Sequence, residues 1–418
     1  INYYYFGHLY TAVLTILSGI PASVTYNLMI ATIFGLCFVE SFSIGFNLLF
    51  LSTNSNNKIQ NSIQSQNSKL KTKKSFFEFG ILNLICDLSF EFCHSRKAVL
   101  AGILTALLVT LAGNLHILYI FTQGYPNEHP VPIWQLLSNI AFHPETYWYP
   151  NATRFIPFTI HEFPIYSFVV SDLHGHVMSI PIVLTIIAVL LHFINRTIDD
   201  GEIEDSGRGL KIEDRKNQKK QSTFNPLSST TIFHRLSSIV QVNHILSKIV
   251  LLSFLVSCAY MTNSSDLLVY GGLSAIVISV HLLISHFNIQ LPASHFQLLL
   301  KKFIITLGFF AFFVFLFSLP FNLGFDSFVK GIGFTKPQDR SPIWMLFFLW
   351  GQFYLLTLPF LVRFFSKIKN QISKIKTTAQ NLKIDIFIFI LILFSTCLLI
   401  FPEFLYFKDI YPAHYRAN

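Results

Sequence analysis

The chain has 418 residues, 52% of them hydrophobic and 16% aromatic, with only 12% charged, against about 25% in a soluble domain. A mean hydropathy of +0.53 excludes an ordinary soluble globule and points to the bilayer. The net charge of +9 sits mostly in loops between apolar runs, so it reads as a topology signal and nucleic acid is not an expected partner.

Taken in chain order, the first apolar run is 8–19, closed by Gly19 and Pro21. Its helix would be about 18 Å long, too short for about 30 Å of hydrocarbon, so an interfacial or re-entrant helix on the outer face is expected. Longer runs follow at 24–50, 98–121, 177–194, 245–261, 267–287, 301–319, 342–364 and 384–402. They are continuous and lack a period of two, which predicts helices and not a barrel. The expected fold is therefore all-α: a polytopic transmembrane helical protein of about eight crossings plus the outer-face helix, forming a single domain over 1–418. The polar tract 52–74 and the mixed-charge tract 199–221 have too little apolar surface to fold and are expected to be disordered. The stretch 75–93 is expected as a membrane-surface helix, and 122–176, rich in proline and aromatics, as an ordered loop. Five cysteines (Cys37, Cys86, Cys93, Cys258 and Cys397) form no CxxC pair, which argues against a disulfide framework or a zinc finger. With no initial methionine, the chain reads as a piece of a longer protein.

Sidedness follows from the basic residues. Loops 52–97, 195–244, 288–302 and 365–383, with the adjoining span ends, hold 24 of the 30 Lys and Arg residues. By the positive-inside rule these loops are cytoplasmic, and the loop 122–176 and the turn 263–266 face the other side. The protein is expected to be a multi-pass cell-membrane protein with its site on the extracytoplasmic side.

That side gathers the ionisable residues. "DLHGH", 172–176, puts Asp172, His174 and His176 at the edge of an apolar run. In a helix Asp172 and His176 would share a face; in an extended chain all three would align; Gly175 permits a break. The group reads as a hydrated helix start, an acid/base constellation or a metal site, since D-x-H-x-H supplies three ligand types. Glu162 lies ten residues upstream. Asn263 and Asp266 occupy a short turn, where Asp266 could cap the next helix. Glu403, Lys408, Asp409 and Arg416 end the chain, and Lys408 and Arg416 suit a lipid phosphate. His8 and Tyr4 belong to the opening helix. No cofactor is certain from these residues; a divalent metal, Mg or Mn, is one candidate, with His174 and His176 as ligands.

"NYYYFGH" (2–8), "EFPIYSFVVSDLHGH" (162–176), "TNSSD" (262–266) and "PEFLYFKDIY…RAN" (402–418) resemble blocks of the YYY membrane proteins of bacteria and archaea, an uncharacterised family named for its tyrosine triplet. That family is similar, more distantly, to the GT-C superfamily of integral-membrane glycosyltransferases. The resemblance implies a GT-C-like fold and an enzyme of the cell envelope that moves a sugar from a polyprenyl-phosphate donor to an acceptor on the extracytoplasmic face. The acid that GT-C enzymes carry in their first outer loop would lie upstream of Ile1, which leaves Asp172 as the base and Glu162 as the second acid, matched by position. The same resemblance implies phosphate or metal binding at His174 and His176, and the lipid phosphate at Lys408 and Arg416. Asn263, Asp266, Glu403, Asp409, His8 and Tyr4 would complete the substrate site. The alternatives are a lipid-linked-saccharide transporter or flippase and a non-enzymatic membrane assembly protein.

Overall fold

The computed structural model describes residues 5–61, 96–127, 129–138, 140–195, 229–287, 296–327, 329, 331–372 and 379–408. They are mostly helical and fall into two compact units, 1–184 with 324–418, and 185–323. The tract 62–74, the surface helix expected at 75–93 and the tract 199–221 lie outside the described residues.

In the first unit, α1 (Phe6–Ser18) is stopped by Gly19, whose φ of 67° is left-handed and suits a residue without Cβ. Next comes α2 (Ala22–Asn61), which carries helix ten residues into the polar tract that starts at 52. It packs against α3 (Arg96–Leu111) through small residues spaced four apart, Ala98, Gly102, Ala106 and Thr110, all buried. A Cβ at Gly102 would meet the Phe42 ring at 2.8 Å, so the two backbones approach as closely as small-residue interfaces in bilayers allow.

The apolar run 98–121 is not one straight span. After α3 the chain turns by 73° into a 3₁₀ segment, Leu115–Phe121. Asn114 causes the break by leaving the helix: its side chain accepts from the backbone N–H of His116 at 3.1 Å and donates to the Ala152 carbonyl at 2.7 Å. Gly113 lies where a Cβ would meet the Tyr166 hydroxyl at 2.7 Å.

Residues 122–174 hold short helices, among them α4 (Tyr149–Thr153) and α5 (Pro164–Val169). Their core joins Tyr119, Phe155, Phe163 and Tyr166 to Met345, Phe348 and Leu349 of α10 (Ile343–Ile372). Between them in sequence, α6 (Gly175–Asn195) begins in this unit.

In the second unit, α7 (Ser229–Thr262) and α9 (Phe296–Asn322) are joined by hydroxyls: Ser253 and Ser257 of α7 donate to the carbonyls of Phe310 and Val314 at 3.2 and 2.9 Å. The turn 263–266 and a π-helical segment, Leu267–Gly271, lead into α8 (Gly272–Phe287).

Back in the first unit, α11 (Ala379–Phe404) ends in β2 (Leu405–Phe407), which pairs antiparallel with β1 (Ile332–Phe334). Among the described residues, six helices are long and apolar enough to cross a membrane, or seven if the bent pair 96–111 and 115–121 counts as one span. The remaining expected crossing, 245–261, corresponds to the shorter apolar segment Leu246–Thr262 within α7.

Candidate functional site

The "DLHGH" stretch is neither wholly helical nor wholly extended. Pro164 starts α5, and the helix is over by Val170. Ser171 turns the chain at a left-handed φ of 57°, and the Asp172 N–H closes the turn by donating to the Ser167 carbonyl at 2.9 Å. α6 starts at Gly175, and the His174 carbonyl accepts from Val177 and Met178. Asp172 and His174 therefore precede the helix, while His176 stands in its first turn.

Two neighbouring helices hold this corner. The Tyr26 hydroxyl of α2 donates to the Ser171 carbonyl and accepts from the Leu173 N–H, each at 3.1 Å. From α1, Tyr10 donates to the Met178 carbonyl at 3.3 Å. Buried Leu173 and Met178 anchor the turn, leaving the polar side chains between them on one side.

Glu162 comes to the same place from the segment before α5. His161 N–H donates to the Thr153 carbonyl at 2.7 Å and Phe163 is buried, so the residue between them is presented outward. Its Oε2 lies 3.2 Å from His176 Nε2. The other ring nitrogen of His176, Nδ1, is 3.0 Å from His174 Nδ1. Glu162, Asp172 and His176 each contribute one ligand-type atom to a group lying within 4.8 Å.

The electrostatics follow from these contacts. The hydrogen bond from His176 holds the Glu162 carboxyl below the usual range, with His174 and Arg154 adding to it and burial opposing it. Burial pushes His174 below its ordinary value; the nearby His176 and His8 add to this, against the pull of Asp172 and Glu162. At neutral pH the corner thus holds an ionised Glu162 beside a neutral His174.

Two donors on opposite sides of a small divalent ion are about 4.2 Å apart. The ligand atoms of Glu162, Asp172 and His176 all lie within 4.8 Å of one another, close to that spacing, and two carboxylates with one imidazole suit such an ion. His174 is not one of the three; its Nδ1 faces His176 instead.

Glu162 also lines a cavity of about 260 Å³, together with Thr159, His161, Ser341, Trp350 and Glu403. The Glu403 carboxylate accepts from the N–H and the hydroxyl of Ser341, both at 2.7 Å. Lys408 continues the strand ladder, its N–H donating to the Gly331 carbonyl at 2.8 Å. Asn263 and Asp266 belong to the second unit, where Asn263 Nδ2 donates to Asp266 Oδ1 at 2.8 Å; Asp266 does not cap the following helix through its side chain. Asp409, Arg416 and Tyr4 lie outside the described residues. Sequence reasoning assigned no role to Tyr26, Trp350, His161 or Ser341. Trp350 carried the one legible signal, an indole N–H inside an apolar span.

The fold and this corner define an all-α polytopic membrane protein with a carboxylate–imidazole cluster at the start of one helix. The family model of an uncharacterised membrane protein, DUF2298, matches residues 1–386, and the chain belongs to that family, the one its tyrosine-triplet blocks resemble. No curated protein matches the chain. No solved structure matches it either.

Proposed function

We propose that the protein is a membrane glycosyltransferase that moves a sugar from a polyprenyl-phosphate donor to a hydroxyl acceptor on the extracytoplasmic face. The observation that carries this reading is the convergence of Glu162, Asp172 and His176 within 4.8 Å, on the side to which the distribution of Lys and Arg assigns the loop 122–176.

The acceptor hydroxyl attacks the anomeric carbon, the bond from that carbon to the phosphate oxygen breaks, and polyprenyl phosphate leaves with the electron pair. The hydroxyl proton passes to a carboxylate, for which Asp172 is the base. Glu162, fixed by His176, binds and orients the acceptor. One displacement suffices, so the sugar is transferred with inversion. A divalent ion held by Glu162, Asp172 and His176 would, when bound, neutralise the departing phosphate.

The test is the full chain in lipid with labelled polyprenyl-phosphate sugars, scored for labelled product and for free carrier. Glycosyl transfer predicts both in equal amount. Label that crosses the bilayer while the carrier stays glycosylated would replace this reading with a flippase.

A further inference from the structure

The cavity beside Glu162 has a second compartment. One of about 380 Å³ shares Trp350, Leu398 and Leu399 with it and continues between α10 and α11 past Phe353, Thr357 and Ile392. At the far end the two helices close: Phe364 stacks on Phe389 with centroids 4.8 Å apart, and Lys367 pairs with Asp385 at 2.5 Å. Between that end and Glu162 the two cavities form a groove with an apolar length and a polar head. Its flank includes Tyr354, whose hydroxyl donates to Thr396 at 2.9 Å, and Leu398, both exposed at the surface.

The head of the groove states what it will hold. It carries two carboxylates, Glu162 and Glu403, the hydroxyls of Thr159 and Ser341, and the imidazole of His161 beside the flat indole of Trp350. No Lys or Arg is among the described residues that line it, which disfavours an anionic head group. Glu403 is already bonded to Ser341, and one Glu162 oxygen faces His176, so the head is not a bare pair of charges waiting for a cationic head group. What remains are acceptor lone pairs and an aromatic face. These suit a neutral ring bearing several hydroxyls, whose O–H groups donate to carboxylates while its C–H face lies on the indole.

We infer that the α10–α11 groove is the acceptor site, and that the acceptor is an amphiphile with an apolar chain and an uncharged, hydroxyl-rich head, a neutral glycolipid in chemical class. This rests on the glycosyl-transfer reading for the word acceptor; the binding itself does not. Glu162 belongs to both the groove and the cluster, so a hydroxyl bound at the head is presented beside Asp172.

The experiment separates the two. The full chain in nanodiscs is photolabelled with an alkyl glucoside carrying a diazirine in its chain, and the adducts are mapped by mass spectrometry. Parallel arms use the same chain with a phosphate, a phosphocholine or an amine head. Adducts on Phe353, Thr357 or Ile392 are expected from the glucoside at least five-fold above the other heads, and Glu403→Gln should remove most of that excess. Leu399→Trp, which fills the shared middle of the groove, should abolish labelling while leaving the denaturation temperature near that of the parent. Equal labelling by all four heads, preference for the phosphate or amine head, or no labelling in the groove would overturn the proposal, even where sugar transfer is observed. Selective labelling without transfer would uphold the groove and sink the glycosyltransferase reading instead.

Discussion

His176 stands between two partners that make different demands on its protons. The Nδ1 atoms of His174 and His176, 3.0 Å apart, can share one proton and not two. While His176 Nε2–H faces Glu162, neutral His176 has a bare Nδ1 that accepts from His174. Protonating both rings would set two N–H groups against each other. His174 is already held below its ordinary value of 6.5, first by burial, and Glu162 below its ordinary 4.5, first by the His176 bond. Both shifts are downward, so the folded state binds fewer protons than the unfolded state does. The stability from His174 is present above pH 6.5 and is lost as pH falls through its lowered folded value; that from Glu162 is lost further into acid. Denaturation temperature in nanodiscs should therefore fall between pH 7.5 and 5, and His174→Gln should flatten that slope. An unchanged slope in the variant would show that His174 is not the group responsible. The charged letters of 172–176 were legible in the sequence, and so was a break near Gly175. The approach of Glu162 was not, because it depends on the left-handed turn at Ser171 and on the Tyr26 clamp from α2, which no local pattern encodes.

At the scale of elements, packing follows from side-chain size. Gly102 faces Phe42 at a distance that leaves no room for a Cβ, and its neighbours along the stripe, Ala98 and Ala106, are fully buried. Gly102→Leu should destabilise the first unit by about 1–3 kcal/mol, or separate α2 from α3 outright. Gly308→Leu, at a position with open space around it, should cost far less. Comparable losses for both would mean that the α2–α3 seam is not the tight one. The bend after α3 was masked by composition: 98–121 is apolar enough to read as one span, yet Gly113 and Asn114 carried the signal for a break. Asn114→Ala removes a helix-cap acceptor, worth about 1 kcal/mol, and leaves the buried Ala152 carbonyl without its 2.7 Å donor, for a further cost of about 1–3 kcal/mol. Melting curves of Asn114→Ala and Asn114→Ser would separate the two, because serine restores the cap without charge but is too short to replace the donor to Ala152. The pairing of β1 with β2 had no signal at all, since three-residue strands in an aromatic stretch look like any other helix end.

At the scale of the whole molecule, the abundance of apolar runs made a polytopic helical fold legible. The exact set of crossings was not, because length and hydropathy do not register a bend such as the 73° turn at 112–114. Membership of the DUF2298 family covers residues 1–386, and with it the whole carboxylate–imidazole cluster and the entire second unit. Of the residues expected around one substrate, Glu162, Asp172, His174 and His176 meet at one corner, and Glu403 shares a cavity with Glu162. A corner with that make-up performs chemistry only if its charges are needed, which a change of one oxygen to nitrogen can decide. The measurement is the turnover of labelled polyprenyl-phosphate sugar by Asp172→Asn in lipid, read beside its denaturation temperature. Loss of a general base predicts a fall of about 10²–10⁴-fold in a protein that still folds and still melts within a few degrees of the parent. Turnover equal to the parent's in such a folded variant would show that "DLHGH" is a hydrated helix start and that the chemistry lies elsewhere.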